Sequence, residues 1–176
     1  MDLLTLMQRR RSVRKYTDVA ITDDKIQQIL QAGLLSPSSR GVRPWALIVV
    51  RNRAVLEKMA HCRQGAAKML MGADAAIVVV ADAGLSDVWV EDCAIVMSNM
   101  HLMAESLGVG SCWIQGRLRE ASDGRTAEEY LRELLKFPVN YRLEAILSLG
   151  MPEGHPAMRE LSELPMDKVH MEQFRC

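Results

Sequence analysis

The sequence predicts one domain in which helices cover a β-sheet, of either the α/β or the α+β class. Its 176 residues, 49% of them hydrophobic, are enough for a single sizeable core. The chain contains no repeat, low-complexity tract or Pro/Gly/Ser-rich linker. Short apolar segments alternate with longer ones of helical periodicity, and this alternation predicts at least four strands packed under helices.

Four short apolar segments are predicted to be strands. They are WALIVV (45–50), AAIVVVA (75–81), GSCWIQ (110–115) and RLEAILSLG (142–150). The first two are short and apolar at every position, which favours buried strands over amphipathic helices.

Capping residues and apolar spacing predict the helices. A short helix is expected over 2–9, and a second begins after Thr22, a good N-cap ahead of Asp23 and Asp24. Further helical segments are expected near 53–60, 64–71 and 126–136.

The longest helix is predicted over 87–107 and should be central to the core. Gly108 stands where a C-terminal stop is expected. The apolar residues at helical spacing are Val90, Cys93, Met97, Met100, Ala104 and Leu107.

The charges of the chain balance, with 22 Lys and Arg against 22 Asp and Glu and a pI near 6.9. No whole-molecule field therefore draws the protein toward nucleic acid or anionic lipid. A nucleic-acid module is further disfavoured because aromatic residues are not interleaved with the basic ones. Any anion site must be local.

The four cysteines predict a reducing compartment. Cys62, Cys93, Cys112 and Cys176 form no C-x-x-C pair and fall in apolar or terminal segments, which is typical of free thiols. The N-terminus lacks the order of a secretory signal, and no stretch approaches about 18 uninterrupted apolar residues. We therefore expect a soluble, cytoplasmic protein.

One local cluster of cations stands out, the segment RRRSVRKY over residues 9–16. It has two interpretations. It is a solvated helix end, whose cations complement the negative C-terminal pole, or it is an anion site. Arg10, Ser12 and Arg14 alternate in an extended segment, so they could point the same way and converge on one phosphate.

The common catalytic and phosphate-binding motifs are absent. The chain has no P-loop, nucleophile elbow or H-E-x-x-H sequence, and its glycines before the third strand are in the wrong order for a dinucleotide fingerprint. The four histidines, His61, His101, His155 and His170, are scattered. We expect no metal site.

Four segments together resemble the FMN-dependent nitroreductase family. They are RRSVRKY (10–16), SPSSRGVRPW (36–45), the long helix and following strand (87–116), and LSLGMPEG (147–154). Their order and spacing match, and the resemblance covers nearly the whole chain.

The resemblance implies an α+β homodimer with FMN bound non-covalently at the subunit interface. It implies a single domain over 1–176, with a mixed central sheet of four to five strands covered by helices. The segment 151–176, which holds three of the six prolines, would extend over the partner subunit.

The resemblance also implies where the cofactor binds. Arg10, Arg11, Ser12 and Arg14 match the segment that holds the phosphate and ribityl chain. Arg159 is a loose match to a basic phosphate contact in the C-terminal segment.

The loop of Pro37, Ser38 and Ser39 matches one that approaches the flavin from the other subunit. Gly41 and Arg43 stand where the family commonly has Asn and Gln. We hypothesise that Arg43 lies near the flavin pyrimidine edge and stabilises the anionic reduced form. The alternative is that Arg43 pairs with a surface carboxylate.

Ile114, Gln115 and Gly116 match the stretch that passes the flavin N5 edge, where a backbone N–H can support hydride transfer. Gly116 suits close backbone approach. Cys112 and Trp113 are expected in the strand core. Among residues that could line a substrate pocket, a core position is favoured for Trp89, Met97, Met100 and Met103.

The implied activity is an NADH- or NADPH-dependent oxidoreductase working by a ping-pong cycle. The acceptor would be a nitroaromatic, a quinone or a free flavin. Because the flavin carries the chemistry, no catalytic side chain is predicted. Two alternatives stay open: a redox sensor that binds flavin without turnover, and a different flavin reaction, such as that of an oxidase or dehalogenase.

Overall fold

The computed structural model describes residues 1–174 and is organised around a four-stranded sheet. The strands are β1 (Trp45–Val50), β2 (Ala75–Asp82), β3 (Gly110–Gln115) and β4 (Tyr141–Gly150), in the order β1-β2-β4-β3. All neighbouring strands are antiparallel, and the α+β class is confirmed. A mixed sheet was predicted. Within residues 1–174, its parallel component is a single bridge, between Ser12 and Ser111, on the open edge of β3.

Five helices accompany the sheet in the described part of the chain: α1 (Leu3–Arg9), α2 (Asp23–Leu34), α3 (Arg53–Met59), α4 (Trp89–Ser106) and α5 (Ala127–Leu135). Thr22 caps α2 as predicted, accepting a hydrogen bond from the Lys25 N–H. The segment 64–71 is not a full helix. Gly65 has a φ of +72°, which a right-handed helix excludes, and only a 3₁₀ turn forms, Lys68–Met71.

The sheet is buried on both faces. α2 and α4 cover one face, where Ile29, Met97 and Met100 are fully buried. α3 and α5 cover the other, with Leu56 and Leu131. This two-sided burial explains why β2 is apolar at nearly every position.

β4 carries a bulge opposite β2. Ala145 pairs with Val79 and Leu143 with Val80, so Glu144 has no partner on β2. Bulges leave one residue out of the ladder and redirect its side chain. Glu144 is nevertheless buried, at 4% exposure, so the bulge places a carboxyl group inside the protein.

The two ends of the chain run together along one side. The Glu153 N–H donates to the Lys15 carbonyl, and the Arg159 N–H donates to the carbonyl of Gln8. Over residues 161–174, most side chains are exposed. α1 likewise contains no buried residue. Both segments are apolar in part, and their large apolar side chains face outward.

Three cysteines, Cys62, Cys93 and Cys112, are free and buried, as the sequence predicts. Cys176 lies outside the described residues. Within residues 1–174 no helix has the length and apolar character needed to span a bilayer.

Candidate functional site

The basic segment that follows α1 borders a cavity of about 450 Å³. The cavity lies between α1, α4 and β3, and its wall comprises Met7, Arg10, Ser12, Ser98, His101, Leu102 and Trp113. The parallel bridge to β3 fixes the segment, because the Val13 N–H donates to the Ser111 carbonyl at 2.9 Å. Arg10 and Ser12 therefore meet at one cavity, as predicted.

Arg14 differs from that prediction. It lines a second cavity, of about 430 Å³, together with Ser12, Lys15 and the start of the C-terminal segment. Ser12 borders both cavities. The segment forms a single bridge rather than a regular strand, so strict alternation of its side chains does not hold. Arg10 and Arg14 thus line different cavities. Burial raises the pKa of the Cys112 thiol, but both arginines and Ser12 lie close enough to it to lower that pKa in part.

Positive charge accumulates around Arg10. Burial lowers the pKa of its guanidinium, and the neighbouring cations Arg159 and Arg11 lower it further. Arg11 itself donates to the Ala157 carbonyl, which brings the C-terminal segment against the basic segment. Arg159, a loose match by sequence, thus belongs to the same cluster. Glu105 offsets part of this charge.

Glu105 is a buried anion between the two ends of the chain. Its carboxylate lies 2.9 Å from the His155 Nε2 and 3.6 Å from the Arg9 Nε. These contacts involve Arg9 and His155, not the three clustered guanidiniums. Arg10, Arg11 and Arg159 therefore make no ion pair in residues 1–174, which is the electrostatic condition that favours a bound anion.

His101 is the buried polar neighbour of this cluster. Its Nδ1 lies 2.6 Å from the Ser111 Oγ, and its Nε2 lies 3.4 Å from an Arg10 guanidinium nitrogen. Burial first, and then Arg10, lower the pKa of the imidazole to about 4. The ring is therefore neutral at physiological pH.

The Pro-Ser-Ser loop is fixed by α4. Asp92, buried in the first turn of that helix, accepts the Ser39 N–H at 2.8 Å. Asn99 donates to the Ser36 hydroxyl at 2.8 Å. Ser38 accepts the Arg43 N–H at 2.8 Å, and Pro37 is exposed between these anchors. The loop is therefore held by Asp92 and Asn99 of α4, which lie outside the segment 36–45 that contains it.

Arg43 is exposed and has a positive φ of 51°. Arg40 and Gly41 also have positive φ, at 53° and 70°. Gly41 adopts this conformation readily, but the two arginines cost conformational energy that the α4 anchors must offset. Arg40 pairs with Asp87, whereas the Arg43 side chain has no ion-pair partner in residues 1–174. Within those residues, the alternative of a surface carboxylate partner is not met.

Ser39 and the cation cluster contact different parts of α4. Asp92 anchors Ser39 and His101 contacts Arg10, and these two positions are about 14 Å apart along the helix axis. Asn99, which anchors Ser36, is closer to His101. Ser38 and Ser39 are not among the residues that line the cavity at Arg10.

The end of β3 is tied to the β4 bulge. Ile114 is buried in the core. The Gln115 amide oxygen accepts the Trp113 indole N–H at 2.9 Å, and its nitrogen lies 3.4 Å from the Glu144 carboxylate. The Gly116 N–H donates to the Glu144 carbonyl at 3.1 Å, so this donor is already used inside the chain.

Gly116 has a packing role beyond the expected cofactor approach. A Cβ at this position would lie 2.5 Å from the Leu143 Cδ2, a distance that real side chains do not adopt. Trp113 is half-buried and lines the Arg10 cavity, while Cys112 is core, as expected. Met97 and Met100 are also core, as expected.

A third cavity, of about 550 Å³, opens beside Gly116. Its wall includes Trp89 and Arg117, whose guanidinium lies 5.8 Å from the Trp89 ring centre. Trp89 therefore packs against the core, as expected, and also lines this cavity. Next to it, burial raises the pKa of Glu144, and one of its carboxyl oxygens lacks a partner.

Sequence reasoning missed five polar residues that shape the site: Asp92, Asn99, His101, Ser111 and Glu144. One signal was present. His101 follows Met100 within the apolar stripe of α4, and a polar residue in such a stripe needs a buried partner. Within residues 1–174, no group of three or more His, Cys, Asp and Glu side chains is arranged to hold a metal ion.

Comparison with known proteins identifies the family. Residues 7–62 and 59–151 match the sequence profile described as Nitroreductase family. A protein of Archaeoglobus fulgidus, provisionally named NADH dehydrogenase/NAD(P)H nitroreductase, is 38% identical over 98% of this chain and 99% of its own length. A protein of Methanothermobacter thermautotrophicus with the same provisional name is 35% identical over 99% of this chain and 88% of its own.

A solved structure agrees with this sequence match. An FMN-dependent nitroreductase from Clostridium difficile R20291 superposes with a TM-score of 0.95 at 42% identity, covering 98% of this chain and all of that one. Sequence and fold thus match over nearly the full length, and the resemblance drawn from four motifs is confirmed. The chain belongs to the nitroreductase family.

Proposed function

We propose that this protein is an FMN-dependent oxidoreductase. It takes reducing equivalents from NADH or NADPH and passes two electrons to a nitroaromatic, a quinone or a free flavin. Bound FMN supplies the hydride-accepting and electron-donating chemistry of this ping-pong cycle. The observation that carries the proposal is the guanidinium cluster of Arg10, Arg11 and Arg159, which has no ion pair within residues 1–174. The names of the relatives, which include NAD(P)H and FMN, support it.

The cluster suits a phosphomonoester. Arg11 and Arg159 both repel Arg10, and a phosphate dianion bound between them would be attracted by all three cations. Planar guanidinium groups bind phosphate oxygens through paired N–H donors. Ser12, between the two cavities, and Arg14 would hold the ribityl chain.

The ring end of the cofactor would lie along residues 114–116. Trp113 orients the Gln115 amide by donating to its oxygen, so the amide presents a defined face to the cavity side of β3. Ile114 and Gly116 give this stretch a rigid backbone, because the first is core and the second is packed against Leu143.

The site would be completed by a second copy of the chain. Asp92, which anchors Ser39, lies about 14 Å along α4 from His101, which contacts the cation cluster of the same chain. A partner subunit would bring its own loop, residues 37–43, to that cluster. The exposed apolar residues of α1 and of the C-terminal segment provide surface for such a homodimer.

We further propose that residues 1–176 form one FMN-binding domain whose segment 151–176 acts as an extended arm. We propose a cytoplasmic location. The three free, buried thiols support it, because such thiols persist in a reducing compartment.

An absorbance experiment tests the function. The purified protein should show the flavin band at roughly 450 nm, which should bleach on anaerobic addition of NADH or NADPH and recover with a nitroaromatic or quinone. Bound flavin that neither nucleotide bleaches would favour a redox sensor or another donor. A colourless protein that FMN cannot reconstitute would overturn the proposal.

A further inference from the structure

We propose that His101 is a positioning residue that holds the Arg10 guanidinium toward the cofactor phosphate. The inference rests on the proposed function and adds a residue to its binding site. His101 lies within the segment 87–116 that resembles the family, but at none of the positions matched to flavin contacts, and its role follows from its two hydrogen-bond partners.

His101 joins two parts of the site. It projects from α4, is 6% exposed, and contributes to the wall of the cavity that Arg10 and Ser12 border. One ring nitrogen faces the Ser111 hydroxyl on β3 and the other faces Arg10, after α1. Helix, strand and basic segment are thus linked through one imidazole.

The proton positions follow from chemistry. A guanidinium can only donate, so the Nε2 that faces Arg10 must accept. In a neutral imidazole the other nitrogen then carries the proton, and Nδ1–H donates to the Ser111 Oγ. A protonated ring would turn an N–H toward Arg10 and lose this acceptor. The lowered pKa of His101 keeps the ring in the accepting form.

Ser111 reinforces the arrangement. Its hydroxyl orients the imidazole, and its carbonyl accepts the Val13 N–H, which fixes the backbone next to Ser12. Arg10 would otherwise be free to turn away from Arg11 and Arg159, whose charges repel it. His101 opposes that repulsion, so the guanidinium is already oriented before an anion arrives. Pre-orientation of this kind raises affinity by lowering the cost of ordering the side chain.

The test compares FMN with riboflavin, which lacks only the phosphate. Dissociation constants for both are measured on apoprotein by quenching of flavin fluorescence. His101→Phe keeps the ring but removes the acceptor, and it should weaken FMN binding about tenfold while changing riboflavin binding less than about twofold. His101→Gln keeps an acceptor and should recover FMN affinity to within about threefold of the wild type.

Two further variants test whether His101 affects FMN binding through Arg10. In an Arg10→Ala background, His101→Phe should have almost no additional effect. Ser111→Ala removes the hydroxyl that orients the ring and should weaken FMN binding about threefold, again without affecting riboflavin. Ser106→Ala, at an exposed serine of α4 outside the cavity wall, is the matched control and should change neither constant.

The possible outcomes separate this inference from the proposed function. If wild-type protein binds FMN, but His101→Phe or Ser111→Ala weakens FMN and riboflavin equally or leaves both unchanged, the inference is overturned and the function stands. Additive effects of His101→Phe and Arg10→Ala would overturn it as well. Wild-type protein that binds neither flavin would overturn both.

Discussion

β2 and the C-terminal segment 160–174 are both rich in apolar residues, yet only β2 buries them. Residues 75–81 are at most 1% exposed, whereas Met171 and Phe174 are 74% and 77% exposed. β2 lies between two strands and under helices on both faces. The C-terminal segment contains only two short 3₁₀ turns.

The difference shows which parts of the chain bury their apolar residues without a second subunit. Burying apolar surface stabilises a protein by about 25 cal/mol per Å², and β2 gains this within its own chain. The C-terminal segment and α1 gain little of it. Their apolar residues would be buried, and would stabilise the protein, only against another surface, which a second copy of the chain would supply. β2 therefore stabilises the monomer, whereas the C-terminal segment and α1 would stabilise the proposed dimer.

The largest effect is expected in β2. Ile77→Ala should lower the free energy of unfolding by about 2–5 kcal/mol, because Ile77 is fully buried and the cavity left behind cannot close. Met166→Ala, at a position 66% exposed, is the control and should cost less than about 0.5 kcal/mol in dilute protein. Urea denaturation at low protein concentration measures both. Equal costs would remove the distinction between the two regions.

The next effect concerns the C-terminal segment. Truncation after Glu160 removes the exposed apolar residues Leu161, Leu164, Met166, Val169, Met171 and Phe174. The dissociation constant of the proposed homodimer should rise about 100-fold, or roughly 2.7 kcal/mol, because their buried area in the dimer is lost. Analytical ultracentrifugation over a dilution series measures it. Glu163→Ala, within the same segment, is the control; a truncated protein that dimerises like the wild type would contradict the proposed arm.

The sequence predicted well what depends on near neighbours. The N-cap at Thr22 and the strand 45–50 require only adjacent residues or an uninterrupted apolar run. The site was predicted less fully. The Arg10–His101 contact joins residues 91 positions apart, and no local pattern encodes it. Strict alternation also did not foresee that Arg10 and Arg14 line different cavities, because it holds only in a regular strand.

Glu144 is a carboxyl group buried inside the protein. Burial raises its pKa, so above the ordinary carboxyl pKa the folded state binds more protons than the unfolded state. Stability contributed by the neutral acid is then lost as pH rises through that interval. Glu144→Gln removes this titration. The melting temperature of the variant minus that of the wild type should therefore increase from pH 4 to pH 8, by a few degrees at most.

Thermal melts across that pH range make the test. Glu160→Gln, at an exposed acid that is not among the groups acting on Glu144, is the control and should give a difference that does not change with pH. A Glu144→Gln difference that stays constant, or that decreases toward pH 8, would show that the carboxyl is ionised without cost in the folded protein.

The smallest effect is expected at Arg43, whose side chain is exposed, like most of the C-terminal segment. Its guanidinium is exposed and unpaired in residues 1–174, while neighbouring Arg40 is held by Asp87. If the partner subunit carries Arg43 to the flavin pyrimidine edge, the cation stabilises the anionic reduced form. Arg43→Gln should then lower the flavin midpoint potential by roughly 30 mV, which for two electrons is about 1.4 kcal/mol. Arg40→Gln removes a neighbouring cation that is already paired, and it should leave the potential unchanged in the same anaerobic redox titration. Equal potentials for wild type and Arg43→Gln would sink the hypothesis, whereas a shift in Arg43→Gln alone would place this loop at the flavin of the other subunit.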